Sequence, residues 1–517
     1  MTQSEKTGPR DAVIELTGND LTLADLTAIA AGAPVKLGRA GSDAVDRSRA
    51  VVDDIVANNE VVYGVNTGFG NFASVVIPPE KLAELQYNLI RSHAAGVGPA
   101  LDLANCRALM ALRANVLAKG YSGIRRKNLE ALIDALNAGF HPFIPEQGSV
   151  GASGDLAPLA HLTLNLLGEG EAFLDDRRVS AAEALEAKNL KPIDLEAKEG
   201  LAFINGTQVM AAIGGLALKE AASLARHADI IAALSLEALR GSRQAFYHKI
   251  HEARPHTGQK ASADNLWRIL AESEIMESHR DCGKVQDSYS LRCVPQVHGP
   301  ARDTLDHVLK VFEIEINSAT DNPMVLGDEG RLISGGNFHG ESLAMAFDFS
   351  AIAVAELANI SERRIERLCN PALSDLPAFL VQEGGLNSGF MIAHCTAAAL
   401  VSENKSLCHP ASVDSISTSA AKEDHVSMGT IAARQFRAVV TNVRRVLAIE
   451  LLAASQGLNL IPEKPALALQ GVVDLVRAEV APWDRDRYMA SDIQKAEALI
   501  GSGNMIAAVE RVSGPLA

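Results

Sequence analysis

Apolar residues recur at helical spacing over most of this chain. Ala- and Leu-rich segments with a period near 3.6 residues run over 208–240, 299–317, 340–368, 390–407 and 426–456. The same spacing runs from about residue 79 to residue 136. Several segments approach about 30 residues, or about 45 Å of helix. Helices that long bury their apolar stripes by packing side by side, so a long bundle is predicted. Alternating patterns are few and short. Val13-Ile14-Glu15-Leu16 is one apolar run, and 172–179 and 324–333 read as surface hairpins. The segment 61–70 holds three glycines and Tyr63, and predicts a strand entering a tight, shaped loop. The fold class is therefore mainly α: a long central helical bundle with a smaller mixed N-terminal part.

Composition narrows the function classes. With 517 residues, the chain is too long for one small core. A net charge of -15 argues against nucleic acid or an anionic membrane surface as the main partner. The apolar stretch 342–360 is interrupted by Asp348 and Glu356, which reads as a buried helix and not a membrane span. The first residues lack the apolar core of a signal peptide, so the cytoplasm is the simplest location. None of the six cysteines has CxxC spacing, so neither a zinc cage nor a disulfide framework is suggested, and no metal is expected.

The chemistry concentrates in Gly148-Ser149-Val150-Gly151-Ala152-Ser153-Gly154-Asp155-Leu156-Ala157-Pro158-Leu159-Ala160-His161. The plainest reading is a glycine-rich turn capping a helix, with Ser153 or Asp155 as N-cap. A phosphate loop is a weak second reading, since neither GxxxxGK[ST] nor GxGxxG is present. A third reading is covalent. Without a Cβ, Gly154 lets the backbone fold back tightly. Attack of its nitrogen on the Ala152 carbonyl would close a five-membered ring. Loss of two waters, one taking the Ser153 hydroxyl, would leave a 4-methylideneimidazol-5-one electrophile.

That string resembles the cofactor-forming signature of the aromatic amino acid ammonia-lyases and aminomutases. Four further motifs carry the resemblance, over 63–486: Tyr63-Gly64-Val65-Asn66-Thr67-Gly68-Phe69-Gly70, Asn205-Gly206-Thr207-Gln208, Gln286-Asp287-Ser288-Tyr289-Ser290-Leu291-Arg292-Cys293 and Gly335-Gly336-Asn337-Phe338. The resemblance implies a flexible N-terminus at 1–11, an N-terminal domain at 12–120 with Tyr63 on a lid loop, and a helical-bundle domain at 121–517. It implies a cofactor formed autocatalytically from Ala152-Ser153-Gly154, no metal or diffusible cofactor, and a homotetramer whose active sites combine residues of different subunits.

Removing ammonia needs an activated amine, a base for the β-proton, a carboxylate clamp and a side-chain pocket. By the resemblance, Tyr63 is the base. A phenol needs nearby positive potential to act as one near neutrality. Arg292 would hold the substrate carboxylate in a two-pronged pair. Asn205 and Tyr289 would sit by the cofactor, Gln286 would line the pocket, and Phe338 would flank the cofactor. Each of these residue types is more often structural when it stands alone.

Two positions address substrate choice. His93, after Ser92, and Glu423, in Glu423-Asp424-His425-Val426-Ser427-Met428, resemble the histidine-using branch. A carboxylate suits an imidazole N–H and rejects a phenyl ring. The phenylalanine and tyrosine branches typically carry Gln at the position of Glu423. The competing reading of Glu423 is a helix-end carboxylate complementing the dipole. The implied reaction is elimination of ammonia from L-histidine to trans-urocanate.

Lys422 stands where Gln is common, Ser288 where Pro is common, and His339-Gly340-Glu341-Ser342 where His-Ala-Glu-Pro is usual. The His-Gly element recurs in aminomutases, which makes histidine 2,3-aminomutase the alternative. A non-catalytic helical scaffold would need none of Ala152-Ser153-Gly154, Tyr63 and Arg292, yet all are present.

Overall fold

The computed structural model describes residues 13–517; the loose segment expected at 1–11 lies outside them. Among the described residues, the long periodic segments form the helices Gln208–Ala238, Val294–Glu315, Glu341–Cys369, Met391–Leu407 and Gly429–Asn459. The second starts before the predicted residue 299. Pro300, which suits a first turn, lies inside the helix. The segment 79–136 breaks into Leu82–His93, Leu103–Ala118 and Arg126–Asn137. The first ends where Ala94 turns out of helical geometry (ψ +62°), and Gly98 (φ +90°) and Pro99 follow within a strand, Val97–Ala100.

The chain divides into two compact units. One comprises Met1–Leu216, Leu309–Asp348 and Pro410–Arg434; the other comprises Ala217–Val308, Phe349–His409 and Gln435–Ala517.

Among the described residues, every strand belongs to the first unit. Ile14–Leu16 pairs in parallel with Val35–Leu37. Val97–Ala100 pairs antiparallel with Pro145–Gln147. The expected hairpins form as Glu171–Leu174 with Arg177–Ser180, and Met324–Leu326 with Arg331–Ile333. Asp175 and Asp176 both take positive φ, as a two-residue hairpin turn requires.

The helix Leu103–Ala118 is buried on nearly every side, so its polar residues must find partners inside. Arg107 donates to Ile29 O (2.7 Å) and Leu136 O (2.8 Å), and Asn115 to Ile316 O (2.9 Å). Nearby, Val51, Val52, Ile55, Val65, Leu82, Ala197 and Val325 form an apolar cluster. The strand expected at 61–65 is absent. Gly64 takes φ +78°, and the Asn66 amide accepts from Val62 N (2.9 Å) and donates to Glu60 O (2.7 Å). The segment is pinned as a turn.

The described residues of the second unit are helical and turn. Its interior carries charge. Arg364 and Glu450 are fully buried and paired, with Arg364 Nη2 2.8 Å from Glu450 Oε2. The hydroxyls of Ser235 (2.6 Å) and Ser361 (2.5 Å) donate to the same carboxylate. A buried pair persists only when its remaining lone pairs are satisfied in this way.

Candidate active site

The loop 148–155 is tightly packed at Gly154. Gly154 has φ +72°, and a Cβ there would lie 2.1 Å from Gly206 O. Asp155 N donates to Gly206 O (2.8 Å) and Gly206 N donates to Ser153 O (3.3 Å), fastening the loop to the Asn205-Gly206 turn. No other residue type fits at 154.

Asp155 directly precedes the helix Leu156–Leu166, as expected of an N-cap, but its side chain does not cap that helix. It caps another. Asp155 Oδ2 accepts from Val209 N and Met210 N, both at 2.9 Å, at the start of Gln208–Ala238. Oδ1 accepts from Ser149 Oγ (3.0 Å) and from the Thr430 hydroxyl. Burial pushes this carboxyl up from its ordinary range, and the four hydrogen bonds oppose that by favouring the charged form. One side chain thereby ties together three segments remote in sequence.

Glu423 reaches the same loop. Its Oε1 accepts from Ser153 Oγ at 3.2 Å. Its Oε2 accepts from Thr418 Oγ1 (2.7 Å) and Ser419 Oγ (2.8 Å), and Thr418 N donates to Glu423 O (2.9 Å). Ser419, Ala420 and Ala421 all carry positive φ, a strained run for residues with a Cβ. The strained turn aims the carboxylate at Ser153. The helix-end reading of Glu423 fails, because the following helix begins only at Gly429.

His93, at the end of Leu82–His93, lies close enough to Glu423 to feel its charge. Burial lowers its basicity, a backbone hydrogen bond and Glu423 oppose that, and Ser92 Oγ lies 3.0 Å from its Nδ1. Asn205 is buried. Its backbone oxygen accepts from Arg113 Nη1 (2.7 Å), while its side-chain Oδ1 has no hydrogen-bond partner. Arg113 is itself fully buried, which lowers it to about 10.

The remaining first-unit candidates lie on neighbouring segments, and the turn Gly70–Phe72 of the Tyr63 loop packs beside Ser419–Ala421. Tyr63 is half-buried, and its hydroxyl accepts from Gly70 N at 3.5 Å, within its own loop. Phe338 is half-buried in the segment before Glu341–Cys369.

Gln286, Tyr289 and Arg292 gather in the second unit. Tyr289 and Arg292 bound a one-turn helix, Tyr289–Arg292, with Ser288 at its N-cap. The Arg292 guanidinium lies 4.7 Å from the Tyr289 ring centre, and Arg292 Nε donates to Asp287 O (3.1 Å). Tyr289 is 71% exposed. Beneath it, Ser290 O accepts from the buried Arg364 (3.4 Å). Gln286 is exposed and borders a cavity of about 1060 Å³ that Arg240, Trp267 and Lys284 also line.

Sequence reasoning missed Asp155 as a brace between segments, and missed Thr418 and Ser419 altogether. The acid in Gly-Asp-Leu was visible, but its partners at 209, 210 and 430 were not. A hydroxyl pair just before Glu423 is the local signal that could have found the other two.

A helical body with a backbone-crowded Ala-Ser-Gly loop defines the class. Residues 21–478 match the aromatic amino acid lyase family, and the chain belongs to that family, whose chemistry makes it an ammonia-lyase. It is 57% identical to the histidine ammonia-lyase of Bos taurus over 494 residues, 94% of this chain and 75% of that protein. Among solved structures, it resembles the histidine ammonia-lyase of Trypanosoma cruzi at 48% identity and a TM-score of 0.91, covering 97% of this chain and 96% of that one. The tyrosine aminomutase of Streptomyces globisporus superposes as well, with a TM-score of 0.92, but at 38% identity, covering 97% and 99%.

Proposed function

We propose that this protein eliminates ammonia from L-histidine to give trans-urocanate, with an electrophile made from its own Ala152, Ser153 and Gly154. The observation that carries this reading is the Ser153 hydroxyl donating to Glu423 in a loop that admits no Cβ at 154. The loop suits ring closure because Gly154 is already folded back against Gly206. The unpartnered Asn205 Oδ1 leaves that amide free to face a new group. Once formed, a 4-methylideneimidazol-5-one there would act as an electron sink for the substrate amine.

Glu423 and His93 form the ring-recognising side. Thr418 and Ser419 occupy one carboxylate oxygen, and loss of the Ser153 hydroxyl on ring closure would release the other for an imidazole N–H. Arg292 clamps the substrate carboxylate. Tyr63 takes the β-proton. Asn205 and Tyr289 stand by the cofactor, Gln286 lines the pocket and Phe338 flanks the cofactor. Tyr289 and Gln286 are exposed in the single chain, which supports active sites completed between subunits of a homotetramer. Six unpaired cysteines support work in a reducing compartment such as the cytoplasm. Among the described residues, one helix, Glu341–Cys369, is long and apolar enough to cross a membrane, and most of its apolar window is buried.

The 57% identity to a histidine ammonia-lyase, against 38% to an aminomutase, favours elimination over amine migration. Incubation with L-histidine, with both products quantified, tests the reading. Urocanate should accumulate without β-histidine, and the intact protein should weigh two waters less than its sequence. Accumulation of β-histidine would overturn the lyase assignment, and an unmodified mass in active enzyme would overturn the cofactor.

A further inference from the structure

We propose that His339, Glu341 and His425 form a binding site for one divalent transition-metal ion of the zinc class. One ligand atom from each residue lies within 4.8 Å of the other two. The two imidazoles stack with centres 5.6 Å apart and planes 16° from parallel. A second observation is independent of this proximity. Glu341 Oε2 is buried and has no hydrogen-bond partner, although it belongs to the first turn of Glu341–Cys369, where backbone N–H groups are available. A buried carboxylate oxygen without a donor calls for a cation.

The backbone on both sides is already fixed. Gly340, between two of the ligands, packs so closely that a Cβ would lie 2.5 Å from the Met210 thioether. His339 N donates to Gly336 O (3.0 Å) and Ala344 N to Gly340 O (2.9 Å). On the other segment, Val426 N donates to Ser415 Oγ (3.0 Å), Ser427 Oγ to Gly151 O (3.2 Å) and Met428 N to Val150 O (2.9 Å). Ion binding therefore needs side-chain rotation and no loop rearrangement.

The donor set selects the ion. Two imidazoles and one carboxylate suit zinc, cobalt, nickel or manganese, whereas calcium and magnesium prefer all-oxygen cages. Three protein ligands leave a fourth position for water. The ion would join the segment that carries Phe338 to the one that carries Glu423, acting as a staple beneath the loop 148–155. CxxC spacing cannot reveal such a site, because His339 and His425 are 86 positions apart.

The test uses the full chain, treated with chelator and desalted, then titrated calorimetrically with Zn²⁺. One ion should bind per chain. His425 is exposed, so His425→Ala removes a ligand at the cost of one surface ring stack, and Glu341→Gln keeps the size and removes the charge. Each should weaken binding on the order of 10-fold or more. His409→Ala, an exposed histidine elsewhere, should leave it unchanged. Zn²⁺ should raise the melting temperature of the parent and not of Glu341→Gln. Co²⁺ should give the parent a visible ligand-field band that His425→Ala lacks. Absence of saturable binding, or binding of equal strength in the parent and both variants, overturns the proposal.

Discussion

The loop 148–155 and the turn 286–292 are two regions that a reader of the sequence would rank alike, yet they are built differently. The loop is closed from inside its own unit. Asp155 receives four hydrogen bonds, and neither Gly151 nor Gly154 has room for a Cβ. The turn has a rigid base and a free face. The buried Arg364–Glu450 pair holds Ser290 O, while Tyr289 and Gln286 project outward. In the loop, the residue proposed to react, Ser153, and the residue that braces the backbone, Asp155, stand two positions apart. On the turn, function and stability are separable, because the exposed groups hold nothing else in place.

The largest effect should come from Ser153→Ala. Its side chain makes one hydrogen bond, so the melting temperature should hold while turnover falls on the order of 1,000-fold or more. Retained turnover would remove the covalent reading of the loop.

Asp155→Ala should behave in the opposite sense. It leaves Val209 N and Met210 N without their acceptor, at a cost of roughly 2–4 kcal/mol in unfolding free energy. Arg292→Lys keeps the charge and loses the two-pronged geometry. It should reduce kcat/KM by roughly 10- to 100-fold, mainly through KM, with no change in melting temperature. Should Arg292→Lys destabilise the fold as much as Asp155→Ala, the contrast between loop and turn would collapse.

Glu423→Gln sharpens the picture within the loop region. It should lower activity on histidine and narrow the preference over phenylalanine, a preference expected on the order of 100-fold. Comparing kcat/KM on both substrates reads this directly, and unchanged selectivity would make Glu423 a structural residue.

A further effect, confined to the pH dependence of stability, belongs to the interior of the second unit. Burial raises the Glu237 carboxyl to about 7, opposed by hydrogen bonds from Ser273 and from Ala466 N. A carboxyl raised by folding is held more tightly in its protonated form. Its contribution is therefore full below its unfolded range and is lost as pH rises toward 7, a change of at most about 3 kcal/mol. Glu237→Gln should flatten the fall in melting temperature between pH 5 and 8. Identical pH dependence in parent and variant would show that Glu237 carries none of it.

The long helices were legible because Ala and Leu recur at one period over whole segments, and the 171–180 hairpin because Asp175 and Asp176 suit its turn. The segment at 61–65 was misread. Val61, Val62 and Val65 favour a strand, but Gly64 and the Asn66 amide hold the backbone in a turn. Ala152-Ser153-Gly154 and Glu423 were visible as short linear strings. That Ser153 and Glu423 meet was not, since 270 positions separate them. The same distance problem hid what Asp155 does. A capping residue normally reveals its target by adjacency, and this one serves a helix that starts at Gln208.

The crossed cap also sets a timetable. The acceptor in the loop, Asp155, is complete early in synthesis, but its donors include Val209, Met210 and Thr430. The crowding around Gly154 needs Gly206, and the bracing of Asp155 is complete only once Thr430 has left the ribosome and folded back. On the proposed chemistry, a nascent chain would carry Ala-Ser-Gly as ordinary peptide, and ring closure would wait for nearly the whole molecule. Assembly of the fold would then act as a checkpoint, leaving no half-made polypeptide armed with a reactive group.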